Sequence, residues 1–275
     1  WSTPASIPDI EVPDNVEKSK TTSLSYSIEI QSNAFLWCLG LYVAEGSTSS
    51  SYGTGGKLNK STWSIHVDEV DEVTNWMDKA GIKYFVQPVQ STSNCMNVVV
   101  AHINLAPWLS EQCGSGCYNK KIPLWIFSLP DDKRQSFYDG LVFGDGCNVK
   151  DDRYAEGQHA LSTTSKSLAF LFRTLAHSLG RKTAITYTDA GIVSQIRDRY
   201  FTSGESFDVR SRVNGQGFYE DNLILHKVKS VTENSDEEEV WDITVEEDES
   251  FIAEGIVVHN SFYPEPGWKE IIETV

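Results

Sequence analysis

Basic residues are the scarce class in this 275-residue sequence: 23 Lys and Arg stand against 39 Asp and Glu, for a formal net charge of -16. Taken as a total, that balance argues against a nucleic-acid binder, because neutralising phosphates takes Lys and Arg. Its distribution argues otherwise. Residues 221–260 hold 12 acids and 2 bases, and once the acidic first 33 and last 15 residues are also set aside, residues 34–220 carry a net charge of -1. The bases there are free to gather on one face. Cysteine is sparse and odd in number, at Cys38, Cys95, Cys113, Cys117 and Cys147, which argues against a disulfide framework. The Cys113/Cys117 pair lacks the second pair that a zinc site needs and reads as two ordinary thiols in a loop. Long apolar runs are missing too. None nears the roughly 20 residues that span a bilayer, and the start of the chain has no basic stretch leading into an apolar one. A soluble, intracellular protein without membrane contact is expected, with 40% hydrophobic residues to fill one large core or two modest ones.

Residues 1–33 carry Pro4, Pro8 and Pro13 among Ser and Thr, with no sustained periodicity, and read as a connecting linker. An apolar run at 35–44 then predicts a buried helix capped by Ser32 or Asn33. Strand character at 62–67, an amphipathic helix at 69–80 stopped by Gly81, strands at 83–89 and 96–103 and a short helix at 106–111 follow. A similar order returns: a short helix at 136–143, a strand at 154–161, a helix at 165–179 stopped by Gly180, and strands at 182–187 and 195–200. Two related α/β halves with a period of roughly a hundred residues are the natural reading. Beyond Gly215, short strands at 223–231, 240–245 and 251–258, broken by an acidic run, predict a small all-β module.

The two short helices share a form. Gly40-Leu-Tyr-Val-Ala-Glu45-Gly46 and Gly140-Leu-Val-Phe-Gly-Asp145-Gly146 each place a glycine inside the helix, a small residue before the acid, and an acid at the C-terminal end. Small residues let two helix backbones approach closely, while the helix dipole disfavours an anion at a C-terminus by about 0.3–1 kcal/mol. Two such carboxylates brought together repel, so a cation belongs between them. Oxygen ligands of this kind suit Mg²⁺. Taken singly, either motif is an ordinary helix end; the pair, in matching surroundings, is more specific.

These motifs resemble the paired dodecapeptides of LAGLIDADG (DOD-type) homing endonucleases, and the resemblance covers nearly all of residues 34–217. It implies an α+β fold of two pseudo-symmetric αββαββα-type halves, residues 34–130 and 131–217, whose motif helices pack side by side beneath two four-stranded sheets that saddle double-stranded DNA. Carried onto this chain, it makes Glu45 and Asp145 catalytic acids and, with the Ala44 and Gly144 positions, metal ligands for Mg²⁺. Asn119-Lys120-Lys121-Ile122-Pro123 resembles the family block whose lysine lies near the scissile phosphate; Lys121 is the better match and is read as catalytic, with Lys120 beside it as a DNA contact. Residues 163–169 resemble the block that opens the larger helix of the second half. Arg181, Lys182, Arg197, Arg199, Arg210 and Arg212 crowd that half, and strand alternation would bring several onto one sheet face; Lys57, Lys60 and Trp63 are weaker counterparts in the first.

Residues 240–261, ending in Gly255-Ile-Val-Val-His259-Asn260-Ser261, resemble the two C-terminal blocks of inteins. The resemblance implies that residues 218–260 are an incomplete all-β Hedgehog/intein (Hint) C-terminal splicing segment and that residues 261–275 are C-extein, the host protein. In that chemistry the side-chain amide of Asn260 attacks its own backbone carbonyl, His259 assists by proton transfer, and Ser261 supplies the hydroxyl for transesterification; Asp242 is a supporting candidate, Glu249 standing where many relatives carry His. No upstream nucleophile block or Thr-x-x-His block precedes the endonuclease region, so an N-terminal intein half is expected as a missing partner, and this chain alone is expected not to splice. The expected function is a monomeric, Mg²⁺-dependent, site-specific DNA endonuclease that cuts the empty insertion site of its host gene, embedded in an autocatalytic splicing element. The alternative is a splicing-only fragment whose endonuclease region binds DNA or serves as scaffold without cutting.

Overall fold

A computed structural model describes residues 2–4, 15–16, 26–50, 55–89, 94–148, 159–191, 193–196, 199–202, 204–212, 218–220, 223–225, 230, 250–253 and 256–259. Three short strands come first: β1 (Ser2–Pro4), β2 (Asn15–Val16) and β3 (Ile28–Glu29). The first half is α1 (Asn33–Glu45), β4 (Gly46–Ser50), β5 (Leu58–His66), α2 (Val70–Lys79), β6 (Phe85–Pro88), β7 (Cys95–Val100) and α3 (Leu105–Cys113). The second is α4 (Asp131–Asp145), β8 (Gly146–Asn148), β9 (His159–Thr163), α5 (Lys166–Ser178), β10 (Lys182–Thr188), a hairpin of β11 (Val193–Ile196) and β12 (Arg199–Thr202), and β13 (Ser206–Arg212). The remaining strands are β14 (Phe218–Glu220), β15 (Leu223–Leu225), β16 (Ser250–Ala253) and β17 (Ile256–His259). The fold is α+β.

The two halves share one sheet topology, although the repeat read from the sequence lacked β4, β8 and β13. The first sheet runs β4-β5-β7-β6 and the second β8-β9-β13-β10, antiparallel throughout, with the β11–β12 hairpin added between the last two strands of the second half. Each motif helix leads without a gap into an edge strand. Neither edge strand was predicted, because Gly-Ser-Thr-Ser-Ser has no apolar alternation: an edge facing solvent selects for polar residues.

α1 is apolar on every side and is buried from Phe35 to Val43. Ser32 begins it by accepting a hydrogen bond from the Phe35 amide at 3.2 Å. α4 starts five residues earlier than periodicity alone suggests: Asp131 and Asp132 complement the helix dipole of a polar first turn. A single core joins both halves, from Ile28 and Ile30 through α1, β5 and β7 to Phe137, Leu161, Phe172 and Val209.

Three expectations change. The stretch read as a linker at 1–33 is partly structural: β1 pairs with β15, and Ile28 and Ile30 are core residues. Tyr26 stands edge-on to the buried His102 and hydrogen-bonds the Lys83 amide at 2.6 Å. The strand expected at 195–200 is a hairpin with Ile196 opposite Arg199, and the one at 251–258 is a hairpin with Ala253 opposite Ile256. Antiparallel pairing within each stretch shows that neither is one continuous strand. No helix among the described residues is long and apolar enough to cross a membrane.

Candidate active site

The centre of the molecule is the seam between α1 and α4. A Cβ added at Gly40 would lie 2.0 Å from the Phe137 carbonyl oxygen, and one at Gly140 would lie 1.9 Å from that of Trp37. The two backbones therefore touch at a crossing that only glycine permits. One turn further on, a Cβ at Gly144 would meet the Ala44 Cβ at 2.6 Å and the Glu45 Cγ at 3.1 Å, so the acid-bearing ends of both helices converge.

The electrostatics follow from that convergence. Burial, then the charges of Asp145 and Glu69, make Glu45 hold its proton more tightly than an ordinary Glu, with Lys120 opposing. Asp145 is likewise raised by desolvation at the seam and opposed by Lys120, although much of its surface is open to solvent. Glu69, in the 3-10 turn before α2, was not anticipated as a neighbour.

Lys120, not Lys121, is the cation turned into this site. Its Nζ donates to the Tyr42 carbonyl at 2.8 Å and the Gly46 carbonyl at 2.7 Å, and lies 4.1 Å from the centre of the Tyr42 ring. Burial lowers its pKa to about 8, against the pull of Cys113, Asp145 and Glu45. Lys121 is exposed. Lys120 has extended backbone, so residues 120 and 122 point to one side, and Ile122 is buried as well.

Two carboxylates at the converging ends of α1 and α4 make a hard oxygen donor set. It fits a small divalent cation that keeps several of its waters and is held by one or two carboxylates. Among the described residues no group of three or more His, Cys, Asp and Glu is arranged to hold a metal ion, at this seam or elsewhere. Cys113 is buried, which pushes its thiol up to about 12, and Cys117 is exposed, in keeping with ordinary thiols.

Strand register sorts the remaining bases. Lys60 shares a face of β5 with Thr62, Ser64 and His66, while Ser61, Trp63 and Ile65 point into the core; Lys57 is exposed just before the strand. On the second sheet Arg210 is exposed opposite Ala184 and shares a face with Lys182, and Arg212 is at the register position opposite Lys182. Arg181 is instead engaged by α4, its guanidinium 4.9 Å from the Tyr138 ring centre. Arg199 belongs to the separate hairpin. Arg197, Asp242, Asn260 and Ser261 lie outside the described residues, and His259 is the last residue of β17.

Trp63, read as a weak DNA candidate, is a core residue whose Nε1 donates to the Cys38 carbonyl at 3.0 Å. Trp63→Phe should lower stability by about 1 kcal/mol and leave any DNA affinity unchanged. Thermal unfolding beside a DNA titration checks both; a selective loss of affinity would return Trp63 to the surface role.

Residues 20–260 match the family model of the intein splicing domain. Similar proteins include the uncharacterized protein MJ1054 of Methanocaldococcus jannaschii, 27% identical over 72% of this chain and 21% of its own length. The ATP-dependent DNA helicase Hel308 of Thermococcus kodakarensis is 30% identical over 81% of this chain and 21% of its own length. A DNA polymerase of Thermococcus litoralis is 25% identical over 86% and 16% respectively. This chain thus spans about a fifth or less of the length of these relatives. Among solved structures, that of I-DmoI in complex with DNA and Ca is similar with a TM-score of 0.45 and 12% identity, covering 67% of this chain and 85% of that one.

Proposed function

Since this chain belongs to the intein splicing domain family, we propose that it joins a site-specific DNA endonuclease, residues 34–130 and 131–217, to the C-terminal splicing segment 218–260, with host sequence from Ser261. The observation that carries the nuclease reading is the α1–α4 crossing, which directs two carboxylates and one buried lysine to a single place. Relatives with separate jobs, a helicase and a polymerase, are matched over only about a fifth of their length or less; an element inserted into different hosts behaves that way.

Glu45 and Asp145, with the Ala44 and Gly144 carbonyls, would hold Mg²⁺ or a similar ion. When bound, such an ion lowers the pKa of coordinated water and offsets charge on phosphate oxygens. The chain's own part is positioning. The glycine crossing sets the spacing between the acids, and Lys120 balances charge beside them while standing close enough to neutral titration to hold or release a proton. The role expected of Lys121 is thereby reassigned to Lys120. The polar face carrying Lys60, Thr62 and Ser64, and the face carrying Lys182 and Arg210, are the DNA contacts, with Lys57 at the edge of the first and Arg212 at the register position opposite Lys182.

The test is plasmid cleavage with a target made by fusing the host sequences that flank the insertion. A double-strand cut that needs Mg²⁺ is expected, and Lys120→Met should slow it on the order of 10²-fold while Lys121→Met has a much smaller effect. Failure to cut, cutting that survives chelation, or the reverse order of the two lysines would overturn this assignment.

At the other end, the Asn260 side-chain nitrogen attacks its own carbonyl carbon. A succinimide C–N bond forms, the peptide bond to Ser261 breaks, and the departing amine takes a proton, a transfer that His259 would assist. Asn260→Ala should abolish release of residues 261–275, read by mass spectrometry; release at the unchanged rate would exclude cyclisation.

A further inference from the structure

Lys120 is held from both halves of the molecule. Its ammonium is bonded to α1, whereas its carbonyl accepts a 2.6 Å hydrogen bond from the buried Ser165 hydroxyl at the start of α5. The same hydroxyl oxygen accepts from the Leu168 amide at 3.2 Å and so caps α5, and the Ser165 amide donates to Thr163 Oγ1 at 3.1 Å. Ser165 therefore uses its one proton on Lys120 and its lone pairs on its own helix. A second touch from the same half lies nearby: a Cβ at Gly204, just before β13, would be 3.2 Å from the Tyr118 hydroxyl. The counterpart helix of the first half begins differently. His66 and Glu69 form a local capping box there, Asp68 bonding to the His66 ring and the His66 amide to Glu69. The cap of α5 thus reaches out of its own half to the segment carrying the site lysine.

A lysine side chain has four rotatable carbons, so its ammonium stays at one point only if the backbone it hangs from is fixed. The Lys121 amide bonds the Cys113 carbonyl at 2.9 Å and ties that side of the segment to the first half. Ser165 supplies the tie to the second.

We propose that Ser165 is a positioning residue that fixes Lys120 through its main-chain carbonyl, so that the lysine is seated only when the second half is docked on the first. Its effect on cleavage rests on the nuclease reading above; its effect on Lys120 does not. The experiment is reductive methylation of the full chain followed by mass spectrometry of Lys120 and Lys121, run beside single-turnover cleavage and DNA binding.

In the wild type Lys120 should react far more slowly than Lys121. Ser165→Ala should bring Lys120 towards the Lys121 rate. It should also cut the cleavage rate on the order of 10- to 100-fold with DNA affinity unchanged, since displacement by about an ångström is costly at a reacting centre. Ser165→Thr, which keeps the hydroxyl, should restore both. Ser165→Asp keeps the capping acceptor but cannot donate, so it should expose Lys120 without unseating α5, and it serves if the alanine variant fails to fold. Lys120 protection unchanged in the folded alanine or aspartate variant would overturn the proposal, as would a threonine variant no better than alanine. A wild type that does not cut would sink the nuclease reading and leave the methylation result to decide this one.

Discussion

Glu45→Gln and Asp145→Asn are each expected to lower Mg²⁺-dependent cleavage on the order of 10³-fold or more, while making the metal-free protein more stable rather than less. The second half of that expectation comes from the proton affinities. Both carboxyls hold protons above their ordinary values of 4.5 and 3.8, chiefly because the seam desolvates them, with Asp145 adding to the effect on Glu45. A carboxyl raised on folding contributes stability that is complete below its unfolded-state pKa and is lost as pH rises through its higher native value. At neutral pH both acids therefore oppose the fold, each also sitting at the unfavourable end of a helix dipole, where removing an anion gains about 0.3–1 kcal/mol. Stability of the metal-free wild type should rise as pH falls into the carboxylate range, and the amide variants should lose that rise. Added divalent cation should raise the wild-type melting temperature at neutral pH, less so at acid pH, and scarcely at all in either variant. Thermal unfolding with and without Mg²⁺, across pH, measures all of this. A variant that still cuts within a few-fold of wild type, or that is stabilised by cation as much as wild type, removes these acids from the site.

Gly140→Ala should cost about 3 kcal/mol or more, an unusually large loss for the addition of one methyl group. The obstacle is main chain: the new Cβ would lie 1.9 Å from the Trp37 carbonyl oxygen and 2.7 Å from its carbon. One helix must retreat by more than about 1 Å to reach ordinary contact, and the retreat opens the packing around Trp37, Leu41, Phe137 and Leu141 on both sides of the crossing. Gly144→Ala makes the informative comparison, because its Cβ would press on the side chains of Ala44, Leu41 and Glu45. Those can turn aside at smaller cost, but Glu45 would be displaced from its partner acid. Denaturant unfolding should thus rank Gly140→Ala as the more destabilising, with Gly144→Ala weakening cation binding by more than its stability loss accounts for. If Gly140→Ala melts within a degree or two of wild type, the helices do not cross as closely as described.

The pairing of the two motifs was legible because both the helical run and the residues at the crossing are local and repeated. Ser32 as a cap, the apolar face of α5 and the alternation that puts Lys182 with Arg210 are of the same kind: a few neighbouring residues carry the information. The differences have one source. Trp63 was a weak DNA candidate, Lys121 was the better motif match, and the runs at 195–200 and 251–258 looked unbroken, because each depends on what lies across from it in space. Lys120 faces α1 from 74 to 78 residues away, and Ser165 meets its carbonyl across 45. No window of sequence contains both partners.

Composition and pattern alone determined the α+β class, the two-fold repeat, the acid-tipped helices and the acidic tail with its terminal His-Asn-Ser, since each is written in residue type and short-range spacing. Tertiary structure alone decided which lysine enters the site, that Glu69 bears on Glu45, and that residues near the start of the chain pair with β15. The reason is that burial and proximity between remote segments are properties of the packed chain: the α1–α4 seam desolvates Glu45, Asp145 and Lys120 and brings their charges to bear on one another.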